Sequence, residues 1–423
     1  MDKSGNGLRT LQTLEELDRA LGDCDAAAAV SDDALRDVFT SFQMLPRPAP
    51  ADPFSPAFRE HQLDVYRWIA GRDYMLKNEE TAFDVADAVR RPFPYSTGSC
   101  RTVGQQLMAI GYLISQMELA PGSSVLEFGP GWGNTTLALA QTGMAVTAVD
   151  IEARFCELIA QRASLAGVNI DVVNSDFMWA EQTDMTFDAV LFFECFHHCA
   201  DHLRLLKALR RVLKPGGRII FAAEPVYAEF PQPWGLRLDG QSLWSIRKFG
   251  WMELGFSERY FQQALALAGW CAERTVSSDV PWMTIWTARN AHEPIVLNAV
   301  DARFATQIGE KRPDGVHLTG LKGYGLFGPY IPLPAGDYVV SLSFEGKITG
   351  KAHLDVAVEK GRRILAKTGF SAENLVENLG SAQKVELQLH LDEAATDLEL
   401  RLYCAAGFTG IVSRAEFKLV AGH

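Results

Sequence analysis

The sequence predicts an α/β core on a seven-stranded, parallel-type sheet, with a helical region before it and an antiparallel β-sandwich after it. Three observations carry this. Up to residue 118 the apolar residues fall at helical spacing. From 123 to 290 short apolar runs alternate with helical stretches. After about 293 the apolar residues fall at every second position. The expected domains are therefore 1–118, 119–292 and 293–423.

The N-terminal region reads as helices joined by a proline-rich link. Thr13 and Glu16 have the spacing of a capping box, and Leu14, Leu17 and Leu21 form one apolar stripe. Ser31 is placed to cap a second helix carrying Leu35, Val38, Phe39 and Phe42. MLPRPAPADPFSP (44–56) reads as a linker, and 57–118 as mostly helical with a break at 90–99. The core strands follow as SSVLEFG, AVTAVDI, NIDVVNSD, FDAVLFFE and GGRIIFAAEP, with two more near 270–277 and 282–289. An insertion at 226–257, rich in Trp, Arg and Gly, separates the fifth strand from the last two. In the C-terminal part, Tyr338, Val340, Leu342 and Phe344 alternate with polar or smaller residues. So do Val385, Leu387, Leu389 and Leu391, and Leu398, Leu400 and Leu402.

Composition excludes several function classes. The chain has 52 acidic against 40 basic residues, a formal charge of -12, which is wrong for a general nucleic-acid binder. No apolar run is long enough to span a bilayer, and no signal-like apolar segment opens the chain, so membrane insertion is not expected. The 7 cysteines are scattered and odd in number. They form neither a disulfide framework nor a zinc pattern, and a reducing cytoplasm is the expected compartment.

The segment VLEFGPGWGN (125–134) lies between a strand and a helix. Gly129, Gly131 and Gly133 let the backbone turn tightly and approach a ligand, and the helix start supplies oriented amides. Asp150 ends the next strand, where a carboxylate can take both hydroxyls of a ribose. A dinucleotide loop would place its third glycine at 134, but that residue is Asn134. Glu127 would repel a pyrophosphate and suits an amino group. A nucleoside carrying positive charge fits better than a nicotinamide dinucleotide.

This E-x-G-x-G-x-G loop resembles the first motif of the Rossmann-like class I S-adenosylmethionine (SAM)-dependent methyltransferases, and LKPGGRIIF (213–221) resembles the turn before their fifth strand. The resemblance covers roughly 120–290. It implies SAM as cofactor. Glu127 and the backbone of Gly129 and Gly131 would hold the methionine part, within the loop that Gly133 completes. Asp150 would take the ribose, Ile151 would lie on the adenine, and Asp176 would meet the adenine amino group with Phe177 beside it. Glu194 would stand where the fourth strand opens onto the methyl-transfer site. Tyr95 and Thr97 resemble the upstream segment that closes over the cofactor.

A hydroxyl acceptor needs a group to remove its proton as it attacks the methyl. The run ECFHHCADH (194–202) follows the fourth strand, so His197 and His198 are the expected general bases, the alternative being that they pack or shape the pocket. Glu194, His198 and His202 stand four apart and could share one helical face around a metal. The usual set of carboxylates from several loops is missing, and no metal is expected. The insertion would cover the acceptor, with Tyr227, Trp234, Arg237, Asp239, Trp244, Arg247 and Trp251 stacking on a polar ring; the alternative is a structural lid.

The stretch 325–346 resembles a strand–turn–strand of jelly-roll modules that bind carbohydrate, with Tyr324, Phe327 and Tyr330 as the aromatics to test. Its alternative is a role in assembly, including homo-oligomer formation. The expectation is O-methylation of a sugar or glycan hydroxyl. N- or C-methylation of a small metabolite stays open, as does a glycan-binding scaffold with a dormant core.

Overall fold

A computed structural model describes residues 8–91, 100–291, 293–371 and 383–422. Residues 1–268 with 274–288 form one compact unit, and 269–273 with 289–423 a second. The N-terminal helices thus share a unit with the α/β core.

The first helix, Leu14–Ala28, begins at the expected capping box: Glu16 N donates to Thr13 Oγ1 at 3.2 Å, and Thr13 N donates to Glu16 Oε2 at 3.2 Å. The second, Asp32–Phe39, is capped by Ser31 and ends before Phe42. There the Thr40 and Ser41 hydroxyls donate to the carbonyls of Asp37 and Val38, which closes the helix. Phe42–Met44 instead pairs in parallel with Arg9–Leu11. The third helix, Pro56–Ala70, has Ser55 as cap and proline at its first turn, and stops at Gly71 in the left-handed conformation (φ +70°). The expected helical stretch then fails. Residues 72–84 are irregular apart from a 3-10 turn at Leu76–Glu79, and helix resumes at Val85–Val89 and Cys100–Met117.

The seven core strands match the seven predicted. Across the sheet they run Trp270–Val276, Thr284–Asn290, Leu213–Ala222, Phe187–Phe193, Ser124–Phe128, Ala145–Asp150, Ile170–Asn174. The last five pair in parallel, with Phe128 opposite Val149 on one side and Phe192 on the other. Successive strands are therefore added first on one side of Ser124–Phe128 and then on the other, and the crevice at the carboxyl ends of these strands, where that order switches, is where such sheets bind ligands. Phe128, Phe192 and Phe221 stack across three neighbouring strands at 5.3 and 5.5 Å between rings and are fully buried. Each such pair adds about 0.5–1.5 kcal/mol beyond burial, which fixes the strand tips that carry the site.

The insertion folds into a small sheet, Val226–Tyr227, Leu254–Ser257 and Trp234–Leu236, and a helix, Gly240–Lys248. In the second unit two antiparallel sheets enclose an apolar core. One runs Gly309–Arg312, Gly315–Thr319, Thr409–Gly422, Gly336–Thr349, Gln383–Leu391, with Ile295–Asn298 also on Thr409–Gly422. The other runs Gly323–Leu333, Ala395–Cys404, Lys351–Val358, Arg363–Ser371. The alternating residues read from the sequence, Tyr338 to Phe344, Val385 to Leu391 and Leu398 to Leu402, all face that core. Among the described residues no helix is long and apolar enough to cross a membrane.

Candidate active site

A cavity of about 520 Å³ opens at the carboxyl ends of the first four core strands. Gly129 and Gly131 have φ of +56° and +51°. A Cβ at Gly129 would lie 2.8 Å from Cys195 Cβ, so that position must stay bare, while one at Gly131 would enter open space. Gly131 N donates to Asp150 Oδ2 at 3.0 Å and Glu152 N to Asp150 Oδ1 at 2.8 Å, which ties the glycine loop to the second strand. Gly129, Gly131, Asp150, Ile151, Asp176 and Phe177 all line the cavity. Asp176 Oδ1 accepts from Met178 N at 2.7 Å and so shapes the turn that presents Phe177.

Gly133 does something else. It starts the helix Asn134–Gln141 in the left-handed conformation, and a Cβ there would meet Ile159 at 2.6 Å. It serves packing and does not line the cavity. Asn134, the residue that breaks the dinucleotide pattern, accepts from Arg162 Nη2 at 2.9 Å.

Burial pushes the Glu127 carboxyl up to about 7 and the Asp150 carboxyl up to about 6. Glu127 Oε2 is buried and has no hydrogen-bond partner. An unpaired buried carboxylate oxygen is costly alone, and an ammonium group beside it removes that cost. With the open space at Gly131 and the carboxylate of Asp150, the residues present fit SAM.

The other end of the cavity gathers side chains from four separate segments. Glu194 has φ +52°, lines the cavity, and has its carboxyl pushed up to about 7 by burial and then by Glu224. His198 also lines it; burial lowers its imidazole to about 4. His198 Nδ1 is 3.4 Å from Glu79 Oε2 and makes no hydrogen bond. Glu79, from the 3-10 turn, also lines the cavity, accepts from Met252 N at 2.8 Å, and is raised to about 7 by burial. His197 lies behind the wall, and burial holds it at about 4. Its Nδ1 is 2.9 Å from Glu224 Oε2. Glu224 also accepts from the backbone N–H groups of Cys195, Phe196 and His197 at 2.9, 2.8 and 3.2 Å. On the far side His197 Nε2 is 3.7 Å from Glu253 Oε2, which is 3.5 Å from Arg237 Nη1. Both imidazoles are therefore neutral near pH 7 and too weakly basic to take a proton efficiently there.

Residues 126–221 match a family described as "Methyltransferase domain". This segment, under a quarter of the chain, is similar to methyltransferase domains. The "Ubiquinone biosynthesis O-methyltransferase" of Xanthomonas oryzae pv. oryzae is 26% identical over 172 residues, 40% of this chain and 63% of that protein. The "Demethylmenaquinone methyltransferase" of Tropheryma whipplei is 34% identical over 100 residues, 23% of this chain and 41% of that protein. The chain thus spans less than two thirds of the curated relatives it matches. Magnesium protoporphyrin IX methyltransferase from Synechocystis PCC 6803 is similar over 48% of this chain and 93% of its own, at 19% identity and a TM-score of 0.34.

Around this segment, the structure separates the remaining expected residues. Tyr95 and Thr97 lie outside the described residues. Of the insertion, Trp251 lines the cavity. Trp234 is buried, and its Nε1 donates to Pro53 O at 2.8 Å. Trp244 packs on Phe39 and points its Nε1 at Asp25, and Arg247 pairs with Asp18 at 3.0 Å and donates to Ile69 O. These side chains fasten the insertion to the N-terminal helices. Tyr227 is half exposed and stacks near Phe230, and Arg237 is held between Asp239 and Glu253. His202 turns away from Glu194 and His198: its Nε2 meets Tyr260 OH at 2.8 Å within an aromatic cluster. In the sandwich, Tyr330 is exposed and donates to Glu399 Oε1 at 2.7 Å, while Tyr324 and Phe327 are half-buried.

Sequence reasoning missed Tyr74, Glu79, Glu224 and Glu253. Glu224 was legible in principle, since it stands just past the fifth strand in FAAEP. Nothing local marks Glu79 or Glu253, which reach the site only through tertiary packing.

Proposed function

We propose that this chain is a SAM-dependent methyltransferase acting on a hydroxyl of a ring-shaped small molecule. The observation that carries it is one cavity joining the glycine loop, Asp150 and Asp176 to Glu194 and His198. Glu127 would take the amino group of SAM, Asp150 its ribose hydroxyls, and Ile151 and Phe177 would flank its adenine. When bound, SAM supplies an electrophilic methyl on a sulfonium. The protein then has to seat an acceptor oxygen at the Glu194–His198 end and lower the cost of its deprotonation.

A sugar or glycan acceptor rested on the Trp- and Arg-rich insertion. Trp234, Trp244 and Arg247 are occupied elsewhere, which removes most of that support. Tyr74, Met75, Leu76 and Trp251 line the cavity instead. Met75 and Leu76 are about half exposed (56% and 49%) although apolar. That wall suits the face of an aromatic or partly apolar ring better than the hydroxylated edge of a sugar. The name of the ubiquinone-biosynthesis relative points the same way. A cytoplasmic location and a small-molecule partner go with this reading. The sugar reading keeps the support of the polar groups Glu79 and Glu194.

Calorimetry with S-adenosylhomocysteine (SAH) tests the cofactor half: binding is expected, and its absence would overturn the assignment. Labelled SAM offered to parallel panels of phenolic compounds and of sugars tests the other half. Transfer confined to sugars would reverse the choice of acceptor.

A further inference from the structure

We infer that His197, His198 and Glu253 form a binding site for one divalent transition-metal ion at the acceptor end of the cavity. The three offer ligand atoms that all lie within 4.8 Å of one another. Proximity alone would not distinguish a metal site from a buried ion-pair network, but the hydrogen bonding does.

Glu224 accepts three backbone N–H groups and also faces His197 Nδ1 at 2.9 Å. A carboxylate so committed can only accept, so the network assigns the imidazole hydrogen to Nδ1 and leaves a lone pair on Nε2. That lone pair faces Glu253 Oε2 at 3.7 Å. Two acceptors therefore point at each other, 6% and 7% exposed, with no hydrogen bond between them. A cation between them turns this repulsion into coordination. The carboxylate–histidine–metal arrangement needs the same outer partner that Glu224 supplies. Charge agrees: Glu79, Glu194, Glu224 and Glu253 surround the pair, and Arg237, 3.5 Å from Glu253, is the cation paired with them in the structure. Two imidazoles and one carboxylate suit zinc, manganese, iron or cobalt rather than calcium or magnesium. His198 carries the site to the cavity wall, where an acceptor oxygen can approach the ion.

This inference rests on the cavity being a methyl-transfer site, and its test separates the two. The full-length protein, stripped with a chelator, is titrated with Zn²⁺ or Co²⁺ by calorimetry, and cobalt binding is followed by its visible absorption. One ion per chain is expected. Glu253→Gln and His197→Asn should each weaken it at least about tenfold, in the range found for altered metal shells. SAH binding and the melting temperature of each variant report whether it has folded. No binding by the wild-type protein, or equal binding by wild type and both folded variants, overturns the site. If SAH binds while no ion does, the inference fails and the methyltransferase reading stands. If SAH does not bind, the methyltransferase reading fails first.

Discussion

The two ends of the cavity are built differently. One end comes from consecutive strand tips: Gly129, Gly131, Asp150, Ile151, Asp176 and Phe177 all line it, lie within 49 residues and stand at or just past the ends of three neighbouring strands. The other end takes Glu79 from a 3-10 turn and Glu194 and His198 from beyond the fourth strand, backed by His197, by Glu224 from beyond the fifth strand and by Glu253 from the insertion. The first end is held by backbone geometry, the second by buried charges that hold one another. A local motif can be altered one residue at a time. A network of buried charges fails as a unit, because each member removed strands its partner without solvent.

The sharpest way to break the comparison is at His198. Replacement by alanine is expected to cut turnover about a hundredfold, the cost of misplacing an acceptor by about 1 Å once a side chain that lines this end of the cavity is gone. SAH affinity should stay within about threefold, since the bonds that hold the glycine loop run from Gly131 N and Glu152 N to Asp150 and do not involve His198. Single-turnover kinetics with a phenolic acceptor and calorimetry with SAH measure the two separately. A parallel loss of both would show the ends are coupled.

The complementary break is at Asp150. On the proposed reading, Asp150→Ala removes the carboxylate that would take the ribose, worth about 1.5–3 kcal/mol, so SAH should bind roughly 10–150-fold more weakly. The pH dependence follows from the same groups. Glu127 is raised to about 7 and Asp150 to about 6, both by burial. Each is charged only above its own value, and the ammonium and hydroxyls of the ligand prefer the charged forms. SAH affinity should therefore fall as pH drops through 7 and 6. The sign reverses for the unliganded fold: because both values are raised over the unfolded ones, these two groups contribute most to stability at low pH, below about 4, and that contribution is lost as pH rises through 6 and 7. Glu127→Gln should flatten the upper part of the affinity profile, and an unchanged profile would show that Glu127 does not meet the amino group.

This contrast also sets what was legible in the sequence. Alternating apolar runs located all seven core strands because a strand covered on both faces must be apolar throughout. The sandwich was legible because a strand with one wet face must alternate. The capping box at Thr13 and Glu16 was legible because capping is local. The 72–84 segment was misread as helix because helical propensity is a weak prior and Gly71 and tertiary contacts won. The aromatic and arginine side chains of the insertion looked like an acceptor lid, and composition alone could not say that Asp18, Asp25 and Pro53 would claim them.

Gly133 sharpens the comparison from within the loop itself. Of the three glycines it alone fails to line the cavity, and its Cβ would lie 2.6 Å from Ile159. Gly133→Ala combines a left-handed backbone with an overpacked neighbour, so unfolding free energy should drop by about 1–3 kcal/mol. SAH affinity of the folded fraction should change little. Urea denaturation beside calorimetry reads both, and an affinity loss without a stability loss would return Gly133 to the binding loop.

The smallest effect is expected at Arg247. Its guanidinium is 25% exposed and pairs with an Asp18 that is 53% exposed. Pairs so open to water are worth about 0–1 kcal/mol. The further bond to Ile69 O adds to the fastening of the insertion, so Arg247→Ala should cost at most about 2 kcal/mol in all. Its KM for any acceptor should match the wild type, because the side chain is turned to the N-terminal helices and not to the cavity. A raised KM with unchanged stability would place Arg247 on the acceptor after all, and with it the polar, sugar-type recognition that the insertion's composition suggests.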